Sequence, residues 1–212
     1  MLIFGRTLLF IGAHPDDIEL GAGALVHQAA PHCDVRCVTL SRNRAELKEL
    51  IAEHSRSMSR LGISDDRVQI ENFETRKFHE RRQDLLDLFI RLRKEFNPQI
   101  VFVHSRFDIH QDHNVVTAEA LRAFRGTTIL GFEILRSSHG FFPQLLLEVS
   151  EEDVEMKVAA LKEYATYRNT SYFQPDVVRA SLLRNGDLAG KKFAEGFEVL
   201  RGVASFSALS RE

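Results

Sequence analysis

Two short runs of histidine and aspartate, each opening directly after an apolar segment, constrain this chain more than any other feature. The first closes the stretch TLLFIGAHPDDIELGAG at residues 7–23, where an apolar run breaks at Ala13-His14-Pro15 and delivers Asp16 and Asp17 to the start of a helical pattern. The second, HSRFDIHQDH at residues 104–113, follows the apolar run Ile100–Val103. Carboxylates and imidazoles crowded at the ends of buried strands lose hydration and repel one another unless a cation or a set of partners satisfies them. A divalent metal held between two strand ends is the economical solution.

The order of elements supports such a meeting. Leu8–Ala13 is almost wholly apolar, the pattern of a parallel strand covered on both faces. Glu19–Ala30 carries apolar groups at helical spacing, and Gly21-Ala22-Gly23 permits close backbone approach. Asp34–Leu40 reads as a second strand and Arg44–Leu61 as a second helix, closed by Gly62. Arg67–Glu71 is a third, shorter strand. Glu80–Phe96 is an amphipathic helix whose buried stripe is Leu85, Leu88, Phe89 and Leu92, stopped by Asn97-Pro98. Ile100–His104 is the fourth strand, and Asp112 suits the N-cap of a helix at Asn114–Phe124. Further on, Thr128–Leu135 and Leu145–Val149 read as strands, and Glu151–Tyr164 and Pro175–Leu183 as helices.

This alternation predicts a Rossmann-like three-layer α/β/α sandwich with a mainly parallel sheet, one domain over residues 1–212, the later strands adding an edge or a small second sheet. In such a sheet the order reverses between the first and fourth strands, and ligands lie in the crevice at their carboxyl ends. Both charged runs follow those two strands.

Composition narrows the partners. Lys plus Arg total 28 against 30 Asp plus Glu, a formal charge of -2, so no general field recruits nucleic acid or an anionic membrane. Cys33 and Cys37 share one strand face and read as buried thiols rather than a bridge. The apolar start MLIFGRTLLFIGA lacks a basic leading region, and no run reaches the length of a spanning helix, so a cytoplasmic protein is expected.

His14 and Asp17 are three apart in a turn, and His110 and His113 are three apart at a helix start. That spacing lets each pair face one way, and two imidazoles with one carboxylate form a standard catalytic zinc set that leaves positions for water and substrate. A carboxylate beside the ligands is then available as a base. Spacing alone does not separate Asp16 from Asp17, or His110 from His113. Asp112 suits either a cap or a partner that orients a metal-binding ring. Gly12, Gly21 and Gly23 fail the GxGxxG spacing, and carboxylates stand where a pyrophosphate would need N–H donors, which argues against a dinucleotide. His27, His32, His54 and His79 lack paired ligands and read as surface or packing groups. The three tyrosines of residues 164–174 are assigned to packing rather than to a site wall.

On AHPDD at 13–17 followed by Ile18-Glu19-Leu20-Gly21, and on DIHQDH at 108–113, the chain resembles the LmbE-like or PIG-L-like metal-dependent N-acetylglucosaminyl deacetylases. Weaker similarity continues through Ser41-Arg42, Glu53, Leu61-Gly62, Phe142-Pro143 and AEGFEVLR at 194–201. The resemblance implies His14, Asp17 and His113 as ligands of zinc, with iron, manganese or cobalt as substitutes. It implies Asp16 as general base, His110 as the group steadying the oxyanion, and Asp112 as a partner behind the ligands. Arg42, in a Ser41-Arg42-Asn43-Arg44 run where family members carry a substrate-binding Arg, is the expected substrate contact, with Arg106 and Asp108 beside it. Asp108 stands where some members carry a Tyr. The implied substrate is a small N-acetyl amino sugar conjugate, and relatives frequently assemble as trimers or hexamers. Two rival readings use the same two-His-one-Asp set: a metal-dependent sugar-binding module without catalysis, and a non-haem iron enzyme.

Overall fold

Along β1 (Thr7–Gly12), alternate side chains enter two different cores: Leu8 and Phe10 on one face, Leu9 and Ile11 on the other, all fully buried. A strand this apolar on both faces has to lie inside a sheet covered on both sides. The computed structural model describes residues 5–43 and 49–204. It adds β2 (Asp34–Thr39), β3 (Val68–Ile70), β4 (Ile100–His104), β5 (Thr128–Phe132), β6 (Leu145–Glu148) and β7 (Ala194–Arg201). All join one sheet in the order β3-β2-β1-β4-β5-β7-β6. The first five strands are parallel, while β7 runs antiparallel to β5 and β6 antiparallel to β7. Strand order reverses between β1 and β4, as the alternation predicts, and the later strands extend the same sheet rather than forming a second one.

Helices complete the three layers. On the Leu8/Phe10 face lie α1 (Asp17–Ala29), α2 (Leu50–Arg60) and α5 (Glu151–Lys162); on the Leu9/Ile11 face lie α3 (Arg82–Phe96) and α4 (Gln111–Ala123). The final helix, α6 (Pro175–Ala189), packs through Val178 and Leu182 onto α5. The expected stripe of α3 is buried, and Gly62 follows α2 with φ +79°, the left-handed conformation that ends helices. The expected beginning of α2 at residues 44–48 lies outside the described residues. Among the described residues, no helix is long and apolar enough to cross a membrane. Cys37 is buried in β2, Cys33 falls just before that strand, and neither forms a disulfide.

Helix α1 is broken, and the break is repaired by side chains from far along the chain. Ala22 leaves helical geometry (φ −147°, ψ 16°). Glu195 of β7 accepts hydrogen bonds from the Ala24 and Leu25 backbone N–H groups at 3.1 and 2.7 Å, while Lys157 of α5 donates to the Leu20 carbonyl and to Glu195, both at 2.7 Å. Gly21 permits the close packing: a Cβ there would fall 2.2 Å from Phe132. The break thus seats the first turn of α1, which carries Asp17, against the ends of β1 and β5. Strand β7 is legible in the sequence only as a family similarity, because buried Glu195 and Glu198 disguise its apolar alternation.

Candidate metal centre

Where β1 ends, the chain turns sharply into α1. Asp16 occupies the N-cap position of that helix without a capping bond from its side chain, at φ +103°, a left-handed conformation uncommon for a residue with a side chain and a mark of strain at functional sites. The turn is held from within, since the His14 backbone N–H donates to Asp17 Oδ2 at 2.8 Å. His14, Asp16 and Asp17 are all buried, at 8%, 8% and 3% exposure. His104, the last residue of β4, is fully buried and donates from Nε2 to the same Asp17 oxygen at 2.9 Å.

The second run approaches from β4. Asp108 is the organiser of its loop: Oδ1 accepts from the His110 backbone N–H at 2.8 Å, while Oδ2 accepts from His113 Nδ1 at 2.9 Å and Ser137 Oγ at 2.8 Å. His110, not Asp112, caps α4, its Nδ1 accepting from the Asp112 backbone N–H at 3.2 Å. The Asp112 carboxylate is occupied elsewhere, accepting from His14 Nε2 at 3.1 Å and from the Arg76 backbone N–H at 2.6 Å. The expected capping role is therefore corrected: the carboxylate points away from the helix and across the crevice.

These partners assign the imidazole tautomers. His14 carries its proton on Nε2 toward Asp112, and His113 carries its proton on Nδ1 toward Asp108. His14 Nδ1 and His113 Nε2 face each other at 3.3 Å, the raised pKa of His14 keeping a second proton on its Nδ1 that a bound cation would displace. Asp17 Oδ2 lies 3.5 Å from each. Donors bonded to a tetrahedral zinc at 2.0–2.1 Å stand about 3.4 Å from one another. Two ring nitrogens and one carboxylate oxygen converging at that spacing form a donor set that fits a divalent metal, which would displace the second His14 proton. Two wider groupings share His113: His14–His110–His113 and Asp17–His104–His113, whose ligand atoms lie within 4.8 Å of one another. The protons of His104 and His110 argue against those sets. His104 Nε2 is spent on Asp17, and Nδ1 of His110 accepts a bond, which leaves its Nε2–H as a donor.

Electrostatics follow from burial and the crowd of charges. Burial alone would push the His14 imidazole down, but its bonds to Asp112 and Asp17 outweigh that and bring its pKa up to about 10. Burial, reinforced by the His104 charge, takes His113 down to about 4. Burial and the neighbouring Asp17 charge raise Asp16 well above the usual carboxylate range, against the opposing pull of His14 and Arg136. Asp17 moves the other way: burial would raise it, yet the charges and hydrogen bonds of His113, His104 and His14 take it well below that range. Burial and the His14 charge lower His110. Two adjacent carboxylates thus differ in proton affinity, the arrangement needed when one binds a cation and the other moves a proton.

The structure brings His14, Asp16, Asp17, His110, Asp112 and His113 together, with Asp108 bonded behind His113. Asp108 is 3% exposed with both oxygens engaged by the protein, so the expected substrate contact is corrected to a buried group that orients His113. Arg106 pairs with Glu198, which also accepts from the Ser105 hydroxyl and the Arg106 backbone N–H. That pairing draws it toward β7, with its side chain still half exposed. Arg42 is exposed, and Arg44 lies outside the described residues.

Other members of the pocket had no signal in the sequence. His104 was visible as part of the second run, but nothing marked it as the partner of Asp17. Ser137, Ser138 and Arg136 belong to the loop after β5. The tyrosine segment divides: Tyr164 is fully buried and bonds to Glu19, whereas Tyr167 accepts from Asn43 Nδ2 at 3.0 Å, and both Tyr167 and Tyr172 sense the charges of Asp16 and Asp17. His54 proves to be a packing group, buried between Glu19, Tyr164 and Thr39.

Residues 9–124 match the family described as PIG-L, GlcNAc-PI de-N-acetylase. The chain is 33% identical over 167 residues to "Uncharacterized deacetylase YaiS" of Escherichia coli strain K12, a match spanning 75% of this chain and 90% of that protein. Among solved structures, N,N'-diacetylchitobiose deacetylase from Pyrococcus horikoshii superimposes with a TM-score of 0.70 at 18% identity, covering 96% of this chain and 88% of that one. GalB, the 4-carboxy-2-hydroxymuconate hydratase of Pseudomonas putida KT2440, superimposes with a TM-score of 0.75 at 17% identity, covering 94% and 98%. At such identities the likeness is one of fold, and the scaffold carries more than one reaction.

Proposed function

The chain belongs to the PIG-L family, and from that membership we propose that it is a metal-dependent N-deacetylase that hydrolyses the acetamide of a small N-acetyl amino sugar conjugate. The observation that carries the reading is the convergence of His14 Nδ1, Asp17 Oδ2 and His113 Nε2 at 3.3–3.5 Å, with the buried Asp16 carboxylate beside them. Zinc is the preferred ion on the donor set, two imidazoles and a carboxylate, with iron, manganese or cobalt as alternatives. Such an ion, when bound, polarises a carbonyl and lowers the pKa of water from about 15.7 to about 7, equivalent to about 12 kcal/mol of deprotonation free energy.

The chain's own residues supply the rest. Asp16 takes a proton from the attacking water, and its raised proton affinity suits a base that must later give the proton back. The water oxygen bonds to the acetamide carbon, and the carbonyl oxygen gains negative charge. His110, with Nδ1 engaged by the Asp112 backbone, directs Nε2–H toward that oxygen, a contribution of about 3 to 4 kcal/mol for a single well-aimed donor. The carbon–nitrogen bond then breaks, Asp16 returns the proton to the departing nitrogen, and acetate and a free amine leave.

The retained Asp16 argues against a purely binding role, which needs the ligands but no base. An iron oxygenase would need oxygen, so turnover under strictly anaerobic conditions supports hydrolysis. The test is elemental analysis of the purified chain together with acetate release from a panel of N-acetylglucosamine conjugates. One bound divalent ion and acetate equal to amine is the expected result. Absence of a stoichiometric metal, or of acetate from every conjugate tried, overturns the assignment.

A further inference from the structure

Arg136 bonds the Tyr172 side chain and lies near enough to Asp16 to pull on its proton affinity, which sets its guanidinium at the rim of the site. It belongs to the tight turn after β5, closed by hydrogen bonds from the Ser137 and Ser138 backbone N–H groups to the Ile134 carbonyl, each at 2.9 Å. The next residue, Ser137, anchors that turn to the metal centre: its hydroxyl donates to Asp108 Oδ2 at 2.8 Å, and its carbonyl accepts from the Ile109 backbone N–H at 3.0 Å. Arg136 is therefore next to the residue whose hydroxyl holds Asp108, the group that orients His113. Its guanidinium carbon lies 5.8 Å from the centre of the Tyr172 ring. The Arg136 side chain is exposed and, among the described residues, forms no salt bridge with a carboxylate of the protein. By contrast Arg106, expected at this mouth, is tied to Glu198.

A guanidinium stacked on an aromatic face keeps its five donors in a fixed plane and loses little freedom on binding. The pocket floor holds Asp16 and Asp17, whose charges a bound divalent ion would balance, so the floor has no surplus positive charge to hold a second, anionic group. A neutral acetamide fits that floor, and an anionic substituent on the same molecule is driven to the rim, where Arg136 stands. We propose that Arg136, held on Tyr172, is an anion subsite that selects substrates bearing a phosphate or a carboxylate near the acetamido group. The deacetylase reading identifies only the acetamido end; the anion subsite rests on Arg136 and Tyr172 themselves. Phosphate and carboxylate both suit the planar fork of donors, and the experiment separates them.

The experiment compares three probes on the zinc-loaded full chain: N-acetylglucosamine 1-phosphate, N-acetylmuramic acid and neutral methyl N-acetylglucosaminide. Hydrolysis is followed in the native protein, in Arg136→Met, in Arg136→Lys and in Tyr172→Phe. Calorimetric binding is followed in the same set carrying Asp16→Asn to prevent turnover. The native chain is expected to favour one anionic probe over the neutral one by about tenfold, as a charge-assisted contact worth about 1.4 kcal/mol gives. The preferred anion names the substrate class. Arg136→Met removes that preference through KM, and because the Arg136 charge also reaches Asp16 the neutral probe changes too, but by several-fold less than the anionic one. Arg136→Lys retains part of it, and Tyr172→Phe, which keeps the ring but removes the hydroxyl that bonds Arg136, also retains only part.

Equal loss on charged and neutral probes would mean that Arg136 acts on Asp16 or on the fold, and the proposal falls. Hydrolysis without anion preference also overturns it while leaving the deacetylase reading intact. Anion preference in binding, lost in Arg136→Met, with no hydrolysis of any probe, upholds the subsite and removes the deacetylase reading.

Discussion

His14 Nε2 lies 3.1 Å from Asp112 Oδ2, joining the first charged run to the second across 98 residues of chain. The same Asp112 oxygen accepts from the Arg76 backbone N–H, so three separate segments converge on one carboxylate. Asp108 does for His113 what Asp112 does for His14. Each imidazole proposed as a ligand therefore has its own buried carboxylate behind it, which orients the ring and would make the inward nitrogen a better donor to a cation.

Replacing Asp112 with Ala is expected to weaken zinc binding by about 10- to 100-fold, the usual effect of losing an orienting carboxylate. Asp108→Ala acts similarly through His113. Chelator competition on the purified variants measures this. Zinc affinity unchanged in Asp112→Ala would show that His14 holds its orientation without that partner.

Asp16→Asn separates chemistry from construction. Asn tolerates the left-handed conformation at φ +103° and removes a buried carboxylate beside Asp17. Turnover should fall by at least about 10²-fold, while stability rises by about 1 kcal/mol and the metal stays bound. Kinetics, urea unfolding and elemental analysis on one preparation decide it; undiminished turnover would remove Asp16 from the role of base.

The chelator-treated protein should be most stable near pH 6.5. His113, with a folded pKa of about 4 against an ordinary 6.5, contributes stability that is complete above pH 6.5 and is lost as pH falls toward 4, because the unfolded chain takes up a proton the folded one refuses. His14 works in the opposite sense. Its folded pKa of about 10 gives stability that is complete below pH 6.5 and is lost as pH rises toward 10. Urea midpoints measured from pH 4 to 10 should trace a bell. A midpoint that keeps rising beyond pH 8 would contradict the His14 assignment.

Glu195→Ala should be among the most destabilising single changes outside the metal centre. It strands the Lys157 ammonium and two backbone N–H groups in the interior, where Lys157 and Glu195 are 3% and 2% exposed. Removing one partner of a buried ion pair costs about 3 to 5 kcal/mol. Equilibrium unfolding in urea reads the loss, and a change below about 1 kcal/mol would mean that the broken helix needs no repair. Gly21→Ala, with its Cβ driven against Phe132, should be damaging for a steric reason instead.

What the sequence decided by itself was the repetitive part: apolar runs without alternation make covered parallel strands, 3.6-residue periodicity makes the helices, and their alternation sets the reversal between β1 and β4 that brings both charged runs to one crevice. Those are local preferences, legible because they recur every few residues. The tertiary structure decided which carboxylate faces which imidazole. Asp112 reads locally as the cap of α4, and only the approach of His14 and Arg76 turns it outward. Strand β7, Arg136 on Tyr172 and the mending of α1 by Glu195 and Lys157 were hidden for the same reason. A buried charge gains its stability from a partner many residues away, and that pairing has no period in the sequence.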